Sequence, residues 1–147
     1  MQIIVWIRDS QYGMPIAQSV HLVGLTILLA TVLVLNLRLA GVALKDSPLD
    51  WLAQQLRPWM LAGLAVVVLS GLLIFVGTPA KYLASNPFRV KMAALGLAMV
   101  FQYGMLRQFA APDSTPRSRA VRLVVAALSL TLWFTVGWAG RAIAFIP

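Results

Sequence analysis

Long apolar stretches alternate with short polar ones along this chain. From Val20 to Leu37 only His21, Thr26, Thr31 and Asn36 interrupt an apolar run, which Arg38 closes. A run of this length matches the roughly 20 residues that a helix needs to cross a bilayer. Pro15 suits the first turn of such a helix, where its missing N–H is not required, so a first span is predicted over 15–39. Three more spans follow by the same pattern. One covers 58–76, opening at Pro58-Trp59 and stopped by Gly77-Thr78-Pro79. One covers 88–106, with Arg89 and Lys91 near its start and Arg107 at its close. The last covers 120–145 and carries Trp133, Gly137, Trp138 and Gly140, with Arg141 in its final turns.

The polar stretches are connections. In the Gly41–Arg57 linker, Ser47-Pro48 reads as a helix start, with Ser47 as N-cap and Pro48 at the first helical position. Lys81 to Pro87 reads as a polar loop, and Ala110 to Ser118 as a turn with two prolines ahead of a basic cluster of Arg117, Arg119 and Arg122. The opening MQIIVWIRDS lacks a basic start and is broken by Arg8 and Asp9, unlike a signal peptide. It is expected to form a short interfacial helix with Trp6 at headgroup depth. The predicted fold is all-α: one domain over 1–147, an integral membrane four-helix bundle with a short N-terminal interfacial helix.

Composition agrees with the pattern. Of the 147 residues, 61% are hydrophobic and 11% charged, with a mean hydropathy of +0.86. Soluble domains carry about 25% charged residues, so this chain has too few to cover a water-facing surface. The net charge of +8 would suggest nucleic acid in a soluble protein. Here the basic residues sit at the ends of apolar runs, where they anchor spans and set topology, and no nucleic-acid partner is expected. The absence of cysteine excludes thiolate catalysis, disulfides and Cys-based metal sites. Lys45, Arg38, Arg57, Arg107, Arg117, Arg119 and Arg122 on one side outnumber Arg8, Lys81, Arg89, Lys91 and Arg141 on the other. The richer side is expected in the cytoplasm, which puts both termini in the periplasm of a bacterial inner-membrane protein.

Ionisable groups at membrane depth are costly and by default mark a site. His21 is the sole histidine and lies a turn or two inside the first span. Because consecutive spans alternate in direction, it shares its depth with Ile74 and Phe75, with Arg89, Lys91 and Met92, and with Trp138 and Arg141. A haem needs an axial ligand, a dry slot and cations for two propionates. His21 is therefore the candidate iron ligand and Met92 a candidate second ligand. Lys91, Arg89 and Arg141 are candidates for the propionates, with Trp138 as a wall. The alternative roles are structural: an interhelical hydrogen bond for His21, snorkelling for Arg89 and Lys91, and packing for Met92. No span contains Asp or Glu, so a carboxylate proton relay has no support. No phosphate loop, Ser-His-Asp set or HExxH motif is present.

The stretch Met14 to Gly41, with His21-Leu22-Val23-Gly24 and the closing Leu37-Arg38-Leu39-Ala40-Gly41, resembles the first span of a bacterial four-span family of unknown function. The likeness continues in Pro58-Trp59, Ser70-Gly71-Leu72-Leu73, Asn86 to Lys91 and Trp133 to Arg141. More distantly, the chain resembles the CopD copper-resistance membrane domains and the HemJ-type protoporphyrinogen oxidases, through His21 to Gly24, Arg38 and Lys91. That resemblance implies a four-helix membrane bundle with haem or porphyrin near His21. The chain departs from those relatives at Phe101 to Met105, where they often place a histidine.

The expected function is a b-type haem-binding membrane protein acting in electron transfer, with haem b near the periplasmic face. A cofactor-free scaffolding subunit is the alternative, and porphyrinogen oxidation the third. The expected partners are the lipid bilayer and either further copies of the chain or a redox subunit. The sequence does not itself name a reaction.

Overall fold

The computed structural model describes residues 2–111, 116–143 and 145. Among them are six helices: α1 (Gln2–Asp9), α2 (Gly13–Leu39), α3 (Leu49–Gly77), α4 (Pro79–Ala84), α5 (Asn86–Phe109) and α6 (Arg119–Ala142). Four of these are long. Three of them, α2, α3 and α6, are long and apolar enough to cross a membrane. At 24 residues α5 matches α6 in length, but Asn86, Arg89, Lys91, Gln102, Tyr103, Arg107 and Gln108 make it more polar.

The helix ends follow local chemistry. Gly41 adopts φ +70° just beyond α2. There the Val42 N–H reaches the Leu37 carbonyl and the Gly41 N–H the Arg38 carbonyl, both at 3.0 Å. This is the paired closure that a left-handed glycine permits. The expected cap of α3 shifts by one residue. Pro48 is the N-cap, with ψ 139° and no side-chain cap bond, while the Ser47 carbonyl accepts from Arg38 Nε. Asp50 in the first turn supplies the favourable charge instead. α3 then runs unbroken through Pro58. The expected loop at 81–87 is partly helical. Pro79 opens α4 in its first turn, and Tyr82 packs with Phe75 and Phe88, whose rings stack at 5.7 Å. α6 ends at Ala142, short of the expected residue 145. Part of the expected proline turn, residues 112–115, and residue 144 lie outside the described residues.

α2 pairs most extensively with α3, and α5 with α6; contact between α2 and α6 joins the pairs, and α3 touches α5 only slightly. One core cluster holds Leu28, Val32, Val67, Ala94, Ala98, Trp133 and Val136. A second, nearer the α2 C-terminus, holds Leu39, Met105 and Ala126. Much of the buried face is small, whereas Phe134 and Val100 are each 74% exposed. Large apolar groups on the outside, with alanine, serine and glycine among the leucines and valines of the core, suit a lipid solvent, in which association depends on close packing. α1 rests against α2 and α3. At its end Arg8 Nε donates to Asp9 Oδ1 at 2.8 Å, which holds the Asp9 carboxyl below its ordinary range. Both groups are exposed, so the pair adds little to stability.

Candidate functional site

The site begins with a backbone crossing. A Cβ on Gly63 would lie 2.8 Å from the Leu28 nitrogen and 3.1 Å from the Gly24 carbonyl oxygen. A Cβ on Gly24 would lie 2.6 Å from Val66 Cγ1. Glycine at both positions lets α2 and α3 approach at backbone distance. Two turns along α3 from Gly63 stand Ser70 and Gly71, and one turn before Gly24 stands His21. Since the helices are antiparallel, these residues meet. His21 Nδ1 lies 3.0 Å from Ser70 Oγ, and a Cβ on Gly71 would come within 3.3 Å of His21 Cε1.

The hydrogen bonds fix the direction of this pair. The Ser70 hydroxyl donates to the Val66 carbonyl one turn back. With its proton committed there, Ser70 Oγ can only accept from the imidazole. This favours a proton on His21 Nδ1, with the Val67 carbonyl a further backbone partner of the ring, and makes Nε2 the acceptor nitrogen. A histidine whose far nitrogen is tied to a helix neighbour is the arrangement that presents Nε2 to a ligand.

α5 and α6 bring the second group. Lys91 is half-buried, and its ammonium lies against Gly140, where a Cβ would stand 3.5 Å from Nζ. It is within electrostatic reach of the His21 imidazole. Among the described residues no hydrogen bond or ion pair holds its charge, and the acidic residues of the sequence all lie outside the expected spans. All four long helices thus contribute at one level: His21 from α2, Ser70 and Gly71 from α3, Lys91 from α5 and Gly140 from α6.

Of the residues singled out in the sequence, His21 and Lys91 come together. The others lie on outward faces. Met92 is 49% exposed and Trp138 60%. Arg89 is exposed and donates to the Leu83 carbonyl at 3.2 Å. Arg141 is exposed and stands 5.1 Å over the Phe145 ring. The reason is helical phase. Equal depth places residues in one slab, but 3.6 residues per turn aims neighbours such as Lys91 and Met92 about 100° apart. Ser70 and Gly71 enter the site although the sequence marks them only through the family likeness; their distance from Gly63 along α3 is the signal that pairs them with His21.

The fit to a haem is divided. The donors suit one, with Nε2 of His21 for iron and Lys91 for a propionate. The space beside them does not: the open groove that reaches Ser70, lined by Trp6, Ile16, Ala17, Val20 and Leu73, holds about 150 Å³ and touches neither His21 nor Lys91, whereas sites for ligands of that size need about 300–1,000 Å³. Among the described residues no three His, Asp or Glu side chains gather to hold a metal ion.

Comparison with curated proteins and with solved structures returns no match, so the likeness to copper-resistance domains and porphyrinogen oxidases finds no support there. A family model does match, over residues 6–146, and the chain belongs to that family of unknown function, DUF6644.

Proposed function

We propose that this is a multi-pass inner-membrane protein in which all four long helices cross the bilayer, with both termini in the periplasm, and that it binds an anionic ligand at the level of His21 and Lys91. One observation carries the ligand reading: Lys91 lies half-buried among apolar helices with no acidic partner among the described residues. A cation at membrane depth is costly, and it faces the interior where it serves a substrate, ion or ligand. The reading of α5 as a span is supported by its buried face of Ala94, Ala98, Gln102 and Met105, which packs with helices apolar enough to cross.

A second reading has its own support. The acceptor nitrogen Nε2 of His21 suits iron, and a b-type haem would use both groups, His21 as axial ligand and Lys91 for a propionate. When bound, haem would supply one-electron transfer. The chain's residues would orient the ligand nitrogen through Ser70 and neutralise one carboxylate through Lys91.

One preparation tests both readings. The protein is purified in mild detergent and examined by native mass spectrometry and by optical spectra before and after dithionite, beside His21→Ala and Lys91→Met. An anionic ligand retained by the native protein and lost from Lys91→Met supports the first reading. A Soret band that shifts on reduction and disappears in His21→Ala identifies the ligand as haem. A ligand-free mass and a flat spectrum overturn both and leave a scaffolding subunit, in which His21 serves only to hold α2 on α3.

A further inference from the structure

A second polar level lies toward the opposite end of the bundle. The two apolar clusters are aligned across three helices: Val32, Ala98 and Trp133 belong to one, and Leu39, Met105 and Ala126 to the other. Between them on α2 comes Asn36, four residues after Val32 and three before Leu39. On α5 comes Gln102, four after Ala98 and three before Met105. On α6 comes Ser129, three after Ala126 and four before Trp133. The three polar residues therefore share a layer, in register, between two apolar ones. Asn36 and Ser129 are fully buried and Gln102 nearly so.

Within this layer Ser129 Oγ donates to Gln102 Oε1 at 3.2 Å, and Asn36 Nδ2 donates to the Val32 carbonyl at 2.8 Å. Three buried atoms have no protein partner: Asn36 Oδ1, Gln102 Nε2 and, one turn along α6, Trp133 Nε1. The first is an acceptor and the other two are donors. A buried polar atom left unpaired is costly, and more so in a membrane interior.

We propose that this layer is a binding site for a buried water, which donates to Asn36 Oδ1 and accepts from Gln102 Nε2 and Trp133 Nε1. Water has the donors and acceptors to complete all three, and three bonds are typical of a buried water. The site ties α2 to the α5–α6 pair. It is independent of the His21–Lys91 level.

The test uses the full chain in detergent micelles with ¹⁵N-labelled glutamine, the Gln102 side-chain amide being assigned by its loss in Gln102→Leu. The expected result is a cross-peak from the Gln102 amide protons to a long-lived water, weakened in Trp133→Phe, which keeps the ring volume and deletes the N–H. Cross-peaks from Gln102 to the Asn36 side chain with none to water would overturn the proposal, since the two amides would then satisfy each other directly. Melting temperatures give a second readout. Asn36→Leu and Gln102→Leu should each lower it, and the double variant should melt no lower than the worse single one. Fully additive losses count against a shared site.

Discussion

The two helix pairs of this bundle use glycine in opposite ways. In the α2–α3 pair, Gly24 and Gly63 stand where a Cβ would strike the partner helix, and Gly71 makes room for the His21 ring. In the α5–α6 pair, Gly96, Gly104 and Gly137 meet nothing within 4 Å, and buried alanines such as Ala94, Ala98, Ala126 and Ala139 stand along the two helices instead. A glycine in an apolar helix is thus not by itself evidence of a close crossing. The difference bears on the site: the pair in backbone contact holds the oriented histidine, while the more loosely matched pair carries the lysine.

The sharpest way to break this contrast is to add a methyl group to each side of it. Gly63→Ala should cost about 1–3 kcal/mol, the range for overpacking a filled contact, because the obstacle is the Leu28 backbone and cannot rotate away. Gly24→Ala should cost as much, since its Cβ would meet Val66 Cγ1 at 2.6 Å and the Val66 Cβ, which cannot rotate away, at 2.9 Å. Thermal melts of the purified variants in one detergent check the order, with Gly24→Ala and Gly63→Ala both well below the native protein. Equal melting temperatures for Gly63→Ala and the native protein would mean that the crossing is wider than described.

Ser70→Ala comes next. It removes the Ser70 oxygen from His21 Nδ1 but leaves the Val67 carbonyl as a backbone partner of the half-buried ring, and should cost about 1 kcal/mol, the net worth of one hydrogen bond. It should also release the imidazole tautomer, which ¹⁵N spectra of the ring report directly. A ring that keeps its proton on Nδ1 in Ser70→Ala would show that Ser70 does not set the direction of the pair.

Much of this fold is legible in the sequence, because apolar run length speaks directly to spanning helices. Arg38, Gly77 and Pro79 mark ends close to where the helices stop. The depth of His21 and Lys91 is legible too, since it follows from counting along alternating spans. What the sequence hides is rotation. Met92 adjoins Lys91 and Trp138 lies two residues before Gly140, yet both point outward, and a phase error of one residue turns a ligand into a lipid contact. The Gln102–Ser129 layer is hidden for the same reason: either residue alone reads as an ordinary polar interruption, and only the shared spacing to apolar neighbours on three helices makes them one feature. The helical turn at 79–84 was obscured by its polar residues, although Pro79 gives a valid start signal.

The smallest effects belong to the α5–α6 side, and their sign is the point. Gly140→Ala places its methyl 3.5 Å from Lys91, an ordinary contact, so the backbone preference for alanine should leave the variant no less stable than the native protein. Gly137→Ala meets open space, so only the backbone preference for alanine over glycine remains, and the variant should gain up to about 1 kcal/mol. The same substitution probes whether that open face meets a second copy of the chain. If two copies pack across Gly137, the added methyl falls in their contact, and size-exclusion light scattering would show the assembly loosening while the gain in stability disappears. A stabilised variant of unchanged mass assigns the face to lipid, and completes the contrast with Gly63, where the same methyl group is excluded by a backbone.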